Sequence, residues 1–144
     1  MSLHAYQTVF ARMTLDPALC RRIRAEGEAA LSGYELTPLE VRRLAAIARQ
    51  PGMKVNCTLS RANRLAAISG LLPRTCELLQ DQLRDLLDRF WGQHDMGSLQ
   101  TLPAGLEFAA FLEREIAAGR VTHPLAAETL ASEAAAAKAL TARP

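Results

Sequence analysis

Apolar residues recur every three to four positions along most of the chain, which is the spacing of one face of an α-helix. From Leu65 to Phe90, for example, they fall at positions 65, 68, 72, 79, 83, 86, 87 and 90. Ala, Leu, Arg and Glu are abundant while β-branched residues are few, so intrinsic helix propensity agrees with this period. We therefore predict an all-α fold.

Start and stop signals divide the helical pattern into short helices. Asp16-Pro17 predicts a helix start, because Asp can accept hydrogen bonds from the first turn and Pro needs no donor there. The sequence Thr-Pro-Leu-Glu at 37–40 predicts a second start with a capping box. Between them, Ser32-Gly33 is the expected left-handed helix exit. Leu39 and Leu44 are expected to face inward after the capping box.

One segment departs from this pattern. Met53 to Leu59, MKVNCTL, alternates apolar and polar residues, and it follows Pro51-Gly52, which predicts the end of the preceding helix. A single strand cannot form a sheet, so the segment is either an extended linker or an edge that pairs with another chain. The predicted organisation is an N-terminal helical lobe at 1–52, a linker or short strand at 53–59, and a second helical lobe at 60–140.

Length and cysteine content are those of a protein that folds without disulfide bonds or a structural metal. A chain of 144 residues buries roughly two thirds of its unfolded surface, which allows a hydrophobic core. Cys20, Cys57 and Cys76 match no zinc or disulfide spacing and favour a reducing compartment. No apolar run reaches the roughly 18 residues of a membrane span, and residues 1–13 are too polar for a signal peptide. We expect a cytoplasmic protein without a membrane partner.

The charge balance argues against nucleic-acid binding. The chain has 17 basic and 15 acidic residues, whereas binding to phosphates needs a local excess of cations. Arginines concentrate in the first half and glutamates in the second, a polarity that suits an oriented protein interface. The alternative is a small helical DNA-binding regulator, because arginines cluster on short predicted helices around Leu72-Pro73.

The groups that usually carry catalysis are scattered. His4, His94 and His123 lie in different segments without metal-ligand spacing, so no metal site is expected. Glu113 and Glu115 are two positions apart, which places them on different helix faces as solvated surface charges. No glycine-rich phosphate loop is present. These observations favour a non-catalytic protein.

Six residues are candidates for binding a partner or a peptide: Asn56, Cys57, Arg61, Arg64, Arg74 and Trp91. The three arginines could flank a groove and pair with the carboxylates of an acidic peptide, although ordinary solvation is an equally good interpretation. Trp91 follows Phe90, and adjacent residues of a helix point in different directions. If Phe90 is in the core, Trp91 is expected at an interface rim. A buried Trp91 with an exposed Phe90 is the alternative.

Residues 55–136 resemble the N-terminal helical domain of HvfC-like proteins, which are partners of multinuclear non-haem iron oxidases. The resemblance is carried, in order, by Arg61, Leu72-Pro73, Leu79, Gly105, Phe108, Phe111-Leu112, Pro124, Ala127, Glu128, Glu133 and Ala135. The chain departs from the family pattern at Asn56-Cys57, where Tyr-Arg is usual, and at Ala134, where an aromatic residue is usual. Gly33 to Leu44 is similar to the small helical subunit of ring-opening dioxygenases.

The resemblance implies an accessory subunit without its own cofactor. Such a protein would form a heterodimer with a TglH-like oxidase, which carries the iron, and would help to position a ribosomally made precursor peptide. The reaction implied is modification of a peptide cysteine, namely β-carbon excision in 3-thiaglutamate biosynthesis.

Overall fold

The computed structural model describes residues 3–93 and 101–142. Over these ranges the chain is helical without strands, and the predicted all-α class is confirmed. The α-helices of the described ranges are α1 (Leu3–Leu15), α2 (Pro17–Glu26), α3 (Pro38–Arg49), α4 (Pro51–Leu71), α5 (Pro73–Leu78), α6 (Gln80–Gln93), α7 (Thr101–Ala117) and α8 (Ala126–Thr141). A 3-10 helix, Gly27–Leu31, follows α2.

The chain divides into two compact units, Met1–Ala62 and Asn63–Pro144, and the division falls within α4. Each unit has its own hydrophobic core. The N-terminal core buries residues of α1, α2, the 3-10 helix, α3 and the first turn of α4, which are Val9, Met13, Leu19, Cys20, Ile23, Ala30, Leu31, Leu44, Ala45, Ala48 and Met53. The C-terminal core is built around the aromatic side chains Phe90, Phe108 and Phe111, with leucines from α6 and α7.

Both predicted helix starts are present. The Asp16 carboxylate accepts hydrogen bonds from the backbone N–H groups of Ala18 and Leu19, at 2.9 and 3.2 Å. Thr37 and Glu40 form the complete capping box, in which each side chain accepts a hydrogen bond from the backbone N–H group of the other residue. These signals use contacts within one helical turn, so the sequence is sufficient to specify them.

Two details of the N-terminal unit differ from the prediction. The left-handed glycine is Gly27, with φ +67°, and not Gly33, because α2 ends at Glu26 and turns directly into the 3-10 helix. Leu39 is 49% exposed rather than inward-facing. It precedes the buried Leu44 by five residues, which is about 500° of helix rotation and places it on nearly the opposite face.

The predicted linker or strand at 53–59 is wrong, because these residues lie within the first three turns of α4. Pro51 occupies a position that needs no N–H donor, and it forces Gln50 into an extended conformation with ψ 141°. The proline therefore ends α3 and starts α4. Met53 and Cys57 are four residues apart and both pack against the N-terminal core, so helical packing prevails over a short alternating pattern.

Candidate partner-binding surface

Four of the six candidate binding residues lie on α4, where Cys57, Arg61 and Arg64 share one face at spacings of four and three residues and Asn56 lies on another. Asn56 is exposed, Cys57 and Arg61 are half-buried in the N-terminal unit, and Arg64 is half-buried in the C-terminal unit. Arg74 is the second residue of α5 and is exposed, and Trp91 lies near the end of α6.

The outward face of α4 in the N-terminal unit is apolar. Val55 is 58% exposed and Leu59 is 59% exposed, and their four-residue separation puts them one above the other on the helix. Ala62 is also exposed and continues this line by three residues. We call Val55, Leu59 and Ala62 the α4 stripe. Large apolar side chains usually remain exposed singly, so two adjacent ones on a helix mark a candidate contact surface.

A polar residue borders the α4 stripe, whereas the nearby cations lie on another side of the helix. Asn56 lies beside Leu59, and its amide donates a long hydrogen bond of 3.5 Å to the Thr14 hydroxyl of α1. Lys54 and Arg61 are seven residues apart and share one side of α4, but they are rotated about 140° and 160° from Leu59, toward the face of Cys57. The cations therefore do not form an edge of the stripe.

The opposite face of α4 is attached to the N-terminal core through Cys57. Its thiol donates a hydrogen bond to the backbone carbonyl of Met13, at 3.4 Å. Burial, followed by the neighbouring Cys57, raises the pKa of the Cys20 thiol to about 11. A thiol with this pKa is protonated at neutral pH and is a poor nucleophile.

Cys76 belongs to the C-terminal unit and is equally inert. Burial first, and then the charge of Glu133, raise the pKa of its thiol to about 11. Its side chain packs in the C-terminal core rather than facing a cleft. Cys20 and Cys76 therefore have the properties of core thiols.

Trp91 does not lie at an exposed rim, contrary to the prediction. It is 3% exposed, and so is Phe90. The Phe90 ring packs against Phe108 and Phe111, with centroid distances of 5.1 and 5.5 Å, while the guanidinium of Arg64 lies 4.4 Å from the centre of the Trp91 ring. Adjacent residues of α6 are thus both covered, because packing surrounds more than one face of the helix. Arg64 and Trp91 form a cation–π pair within the C-terminal unit.

Arg74 marks a structural contact that the sequence pattern did not indicate. The Glu133 carboxylate of α8 accepts hydrogen bonds from the backbone N–H groups of Arg74 and Thr75, at 2.8 and 2.9 Å, and from the Thr75 hydroxyl, at 2.7 Å. Leu72, which precedes α5, has no side chain that can cap the helix. Glu133 therefore supplies the cap of α5 from a position 58 residues away from Thr75.

Glu115 is a buried ion-pair acceptor and not the predicted solvated surface charge. It is 5% exposed, and its two carboxylate oxygens contact the guanidinium groups of Arg89 and Arg120, each at 2.7 Å. The hydrogen bond from Arg120, supported by the charge of Arg89, lowers the pKa of Glu115. Glu115 lies on the buried side of α7 and Glu113 on the exposed side. The i, i+2 spacing predicts that the two glutamates lie on different faces, but it does not say which of them faces the protein.

The histidines play no common role in the described part of the chain. His123 precedes α8 and its Nδ1 accepts a hydrogen bond from the backbone N–H of Leu125 at 3.2 Å, which makes it a helix-entry residue. His94 lies outside the described residues. Across residues 3–93 and 101–142, no three His, Cys, Asp or Glu side chains are grouped so that they could hold a metal ion. A bilayer-spanning helix is likewise not found in these ranges.

Comparisons with family models, curated proteins and solved structures gave no match to this chain. The likeness to HvfC-like proteins therefore depends on the sequence motifs themselves. The physical feature that the fold adds is the exposed α4 stripe.

Proposed function

We propose that this protein is a non-catalytic accessory subunit. It binds a multinuclear non-haem iron oxidase of the TglH type as a heterodimer and helps to position a ribosomally made precursor peptide for cysteine modification. The modification proposed is β-carbon excision of the kind used in 3-thiaglutamate biosynthesis. The iron belongs to the oxidase, and the accessory chain contributes surfaces.

The observation that supports this proposal best is the α4 stripe. It begins where the resemblance to HvfC-like partners begins, at residue 55, and it exposes Val55 and Leu59 although each unit has a core that buries similar side chains. Exposed apolar residues bordered by polar ones are typical of protein interfaces. Lys54 is exposed on the same helix, and its ammonium group is suited to a carboxylate of a bound partner.

An accessory subunit would promote the reaction by proximity. A free precursor peptide loses conformational and translational freedom when it enters the oxidase, and this ordering cost opposes the chemical step. A subunit that holds both the oxidase and the peptide meets part of that cost before the peptide cysteine reaches the iron centre. The peptide cysteine then reacts while the thiols of Cys20 and Cys76 stay buried in the accessory chain.

Co-expression of the full chain with a TglH-like oxidase, followed by size-exclusion chromatography, tests the proposal. The two proteins should co-elute as a 1:1 complex, and the complex should bind a fluorescein-labelled precursor peptide more tightly than the oxidase does by itself. The isolated chain should produce no modified peptide by mass spectrometry. Separate elution, together with peptide binding by the oxidase that the chain does not change, would refute the proposed function.

A further inference from the structure

We propose that Cys57 is a site of oxidation by hydrogen peroxide, and that Cys20 then joins it in an intramolecular disulfide. Both cysteines belong to the N-terminal unit, Cys20 on α2 and Cys57 on α4. The inference goes beyond the proposed function and does not rest on it, because it concerns the thiols of this chain and not the cysteine of a bound peptide.

The fold brings the two thiols together although they are far apart in the sequence. Cys57 packs against the same N-terminal core that buries Cys20. The two thiols interact with each other directly, by charge and through a side-chain hydrogen bond. A disulfide needs its sulfur atoms about 2.05 Å apart, which thiols already in contact can reach through a small movement of the two side chains.

Two contacts with α1 hold this turn of α4 in place. The Cys57 thiol donates a hydrogen bond to the Met13 carbonyl at 3.4 Å, and the Asn56 amide donates one to the Thr14 hydroxyl at 3.5 Å. Met13 and Thr14 lie in the last turn of α1, immediately before the corner that leads into α2 and Cys20. The position of Cys57 beside Cys20 is therefore set by α1 as well as by the contact between the thiols.

Accessibility determines which thiol reacts first. Cys57 is half-buried, whereas Cys20 is 1% exposed. Hydrogen peroxide from solvent therefore reaches Cys57, and Cys20 meets only the Cys57 sulfur. The pKa of Cys20, raised to about 11, leaves little thiolate at neutral pH, but a thiolate of high pKa is strongly nucleophilic and its target is adjacent. Cys57 is thus the peroxide-reactive residue and Cys20 the resolving one.

The reaction consumes one hydrogen peroxide and releases two water molecules. The Cys57 thiolate attacks one peroxide oxygen, the O–O bond breaks, and the leaving hydroxide takes up the thiol proton, so that Cys57 becomes a sulfenic acid. The Cys20 sulfur then attacks the Cys57 sulfur. The S–O bond breaks, and the hydroxyl group leaves as water with the proton of Cys20. The two thiols lose two electrons, which reduce the peroxide.

The disulfide would tie α2 to α4 and would remove the thiol hydrogen that binds the Met13 carbonyl. Disulfides of cytosolic proteins are usually transient and often redox-sensing, and a bond formed by peroxide and broken by cellular thiols fits that class. Cys76 has a different environment. It lies in the C-terminal unit, where the group that acts on its thiol is the Glu133 carboxylate and not a second cysteine. Cys76 therefore serves as an internal reference.

Peptide mapping of the full-length wild-type protein tests the inference. The protein is treated with hydrogen peroxide near pH 8, its remaining thiols are alkylated in denaturant, and it is digested with trypsin without reduction. Residues 13–21, 55–61 and 75–84 are tryptic peptides that contain one cysteine each. Mass spectrometry should find the first two joined by a disulfide and the third alkylated. Dithiothreitol should restore all three thiols.

Three variants assign the roles of the cysteines. Cys20→Ser removes the resolving thiol, so dimedone, which traps sulfenic acids, should label Cys57 about tenfold more than in the wild type. Cys57→Ser should abolish the disulfide and leave Cys20 as unreactive as Cys76. Cys76→Ser is the matched control, because Cys76 is also buried but should not affect the disulfide. Circular dichroism should show unchanged helix content in the three variants.

Three results would overturn the inference: wild-type peptides 13–21 and 55–61 that stay separate after oxidation, a Cys57–Cys57 bond between two copies of the chain, or a disulfide that includes Cys76. The wild-type map needs no substitution, so it decides the matter even if a variant fails to fold. Failure of the proposed function is distinguishable from these outcomes, because the oxidation is measured on this chain without the oxidase or the peptide.

Discussion

Replacement of Glu133 by alanine removes the cap of α5 and is the most direct test of how the C-terminal unit is held together. The carboxylate accepts three hydrogen bonds, from the N–H groups of Arg74 and Thr75 and from the Thr75 hydroxyl. Loss of a helix cap costs about 0.5–2 kcal/mol. Thr75 is fully buried, so its hydroxyl would lose its partner away from water, at a cost of about 1–3 kcal/mol.

These contributions overlap, since they share one side chain, and we expect Glu133→Ala to lower the free energy of unfolding by about 2–3 kcal/mol. Urea unfolding of a small protein has a slope of about 1–3 kcal/mol per M, so the midpoint should fall by about 0.7–3 M. Trp91 is the single tryptophan of the chain and is buried in the same unit, which makes its fluorescence a specific reporter of this transition.

Two further variants separate the cap from a general effect of removing charge. Glu113→Ala, at an exposed position of α7, should change the free energy of unfolding by less than about 0.5 kcal/mol. In a double-mutant cycle, Thr75→Val should cost much less in the Glu133→Ala background than in the wild type, because the shared hydrogen bond is already lost. A Glu133→Ala protein as stable as the Glu113→Ala control would show that the reasoning is wrong.

Three other measurements test the remaining contacts. Gly105→Ala should destabilise the protein by about 1–3 kcal/mol in thermal unfolding, because the added Cβ would lie 3.1 Å from Leu71 Cβ and closer still to Leu71 Cδ1. Gly70→Ala is the control: a Cβ added there meets open space, so this variant should be more stable by up to about 1 kcal/mol. The pKa of Glu115 is lowered in the folded protein, so its ion pairs stabilise the fold above its ordinary pKa near 4.5 and are lost as the pH falls through the lower folded pKa. Glu115→Gln should therefore lose less stability than the wild type between pH 4.5 and more acidic pH. An identical dependence of stability on pH in the two proteins would contradict this. Alkylation of the native protein near pH 8, followed by mass spectrometry, should modify Cys57 first. The buried Cys20 and Cys76 should react only after denaturant is added. Equal alkylation rates at all three cysteines would contradict the burial described.

The all-α class and the helix starts at Asp16 and Thr37 follow from the sequence, because they depend on interactions within one or two turns. The periodic core positions of α6 were also predictable, and Leu86, Leu87 and Phe90 are buried as expected. Helix caps and the 3.6-residue period depend on residues that are close together in the sequence, so they can be predicted from it.

Tertiary contacts decided the features that the sequence predicted wrongly. Residues 53–59 alternate like a strand, but packing of Met53 and Cys57 against the N-terminal core makes them helical. Trp91 is buried because it packs in the C-terminal core, and Arg64 of another helix lies over its ring. Neither set of contacts can be predicted from residues three or four positions away in the sequence.

The same holds for the two glutamates that organise the C-terminal unit. Glu115 and Glu133 look like ordinary helix-surface residues, and only the placement of Arg89 and of the α5 N-terminus beside them gives them their roles. The exposed α4 stripe is also visible only in the fold. The types of residue along α4 do not determine which face of the helix packs against the core. Local sequence specifies where helices form, whereas burial and long-range pairing depend on which helices meet.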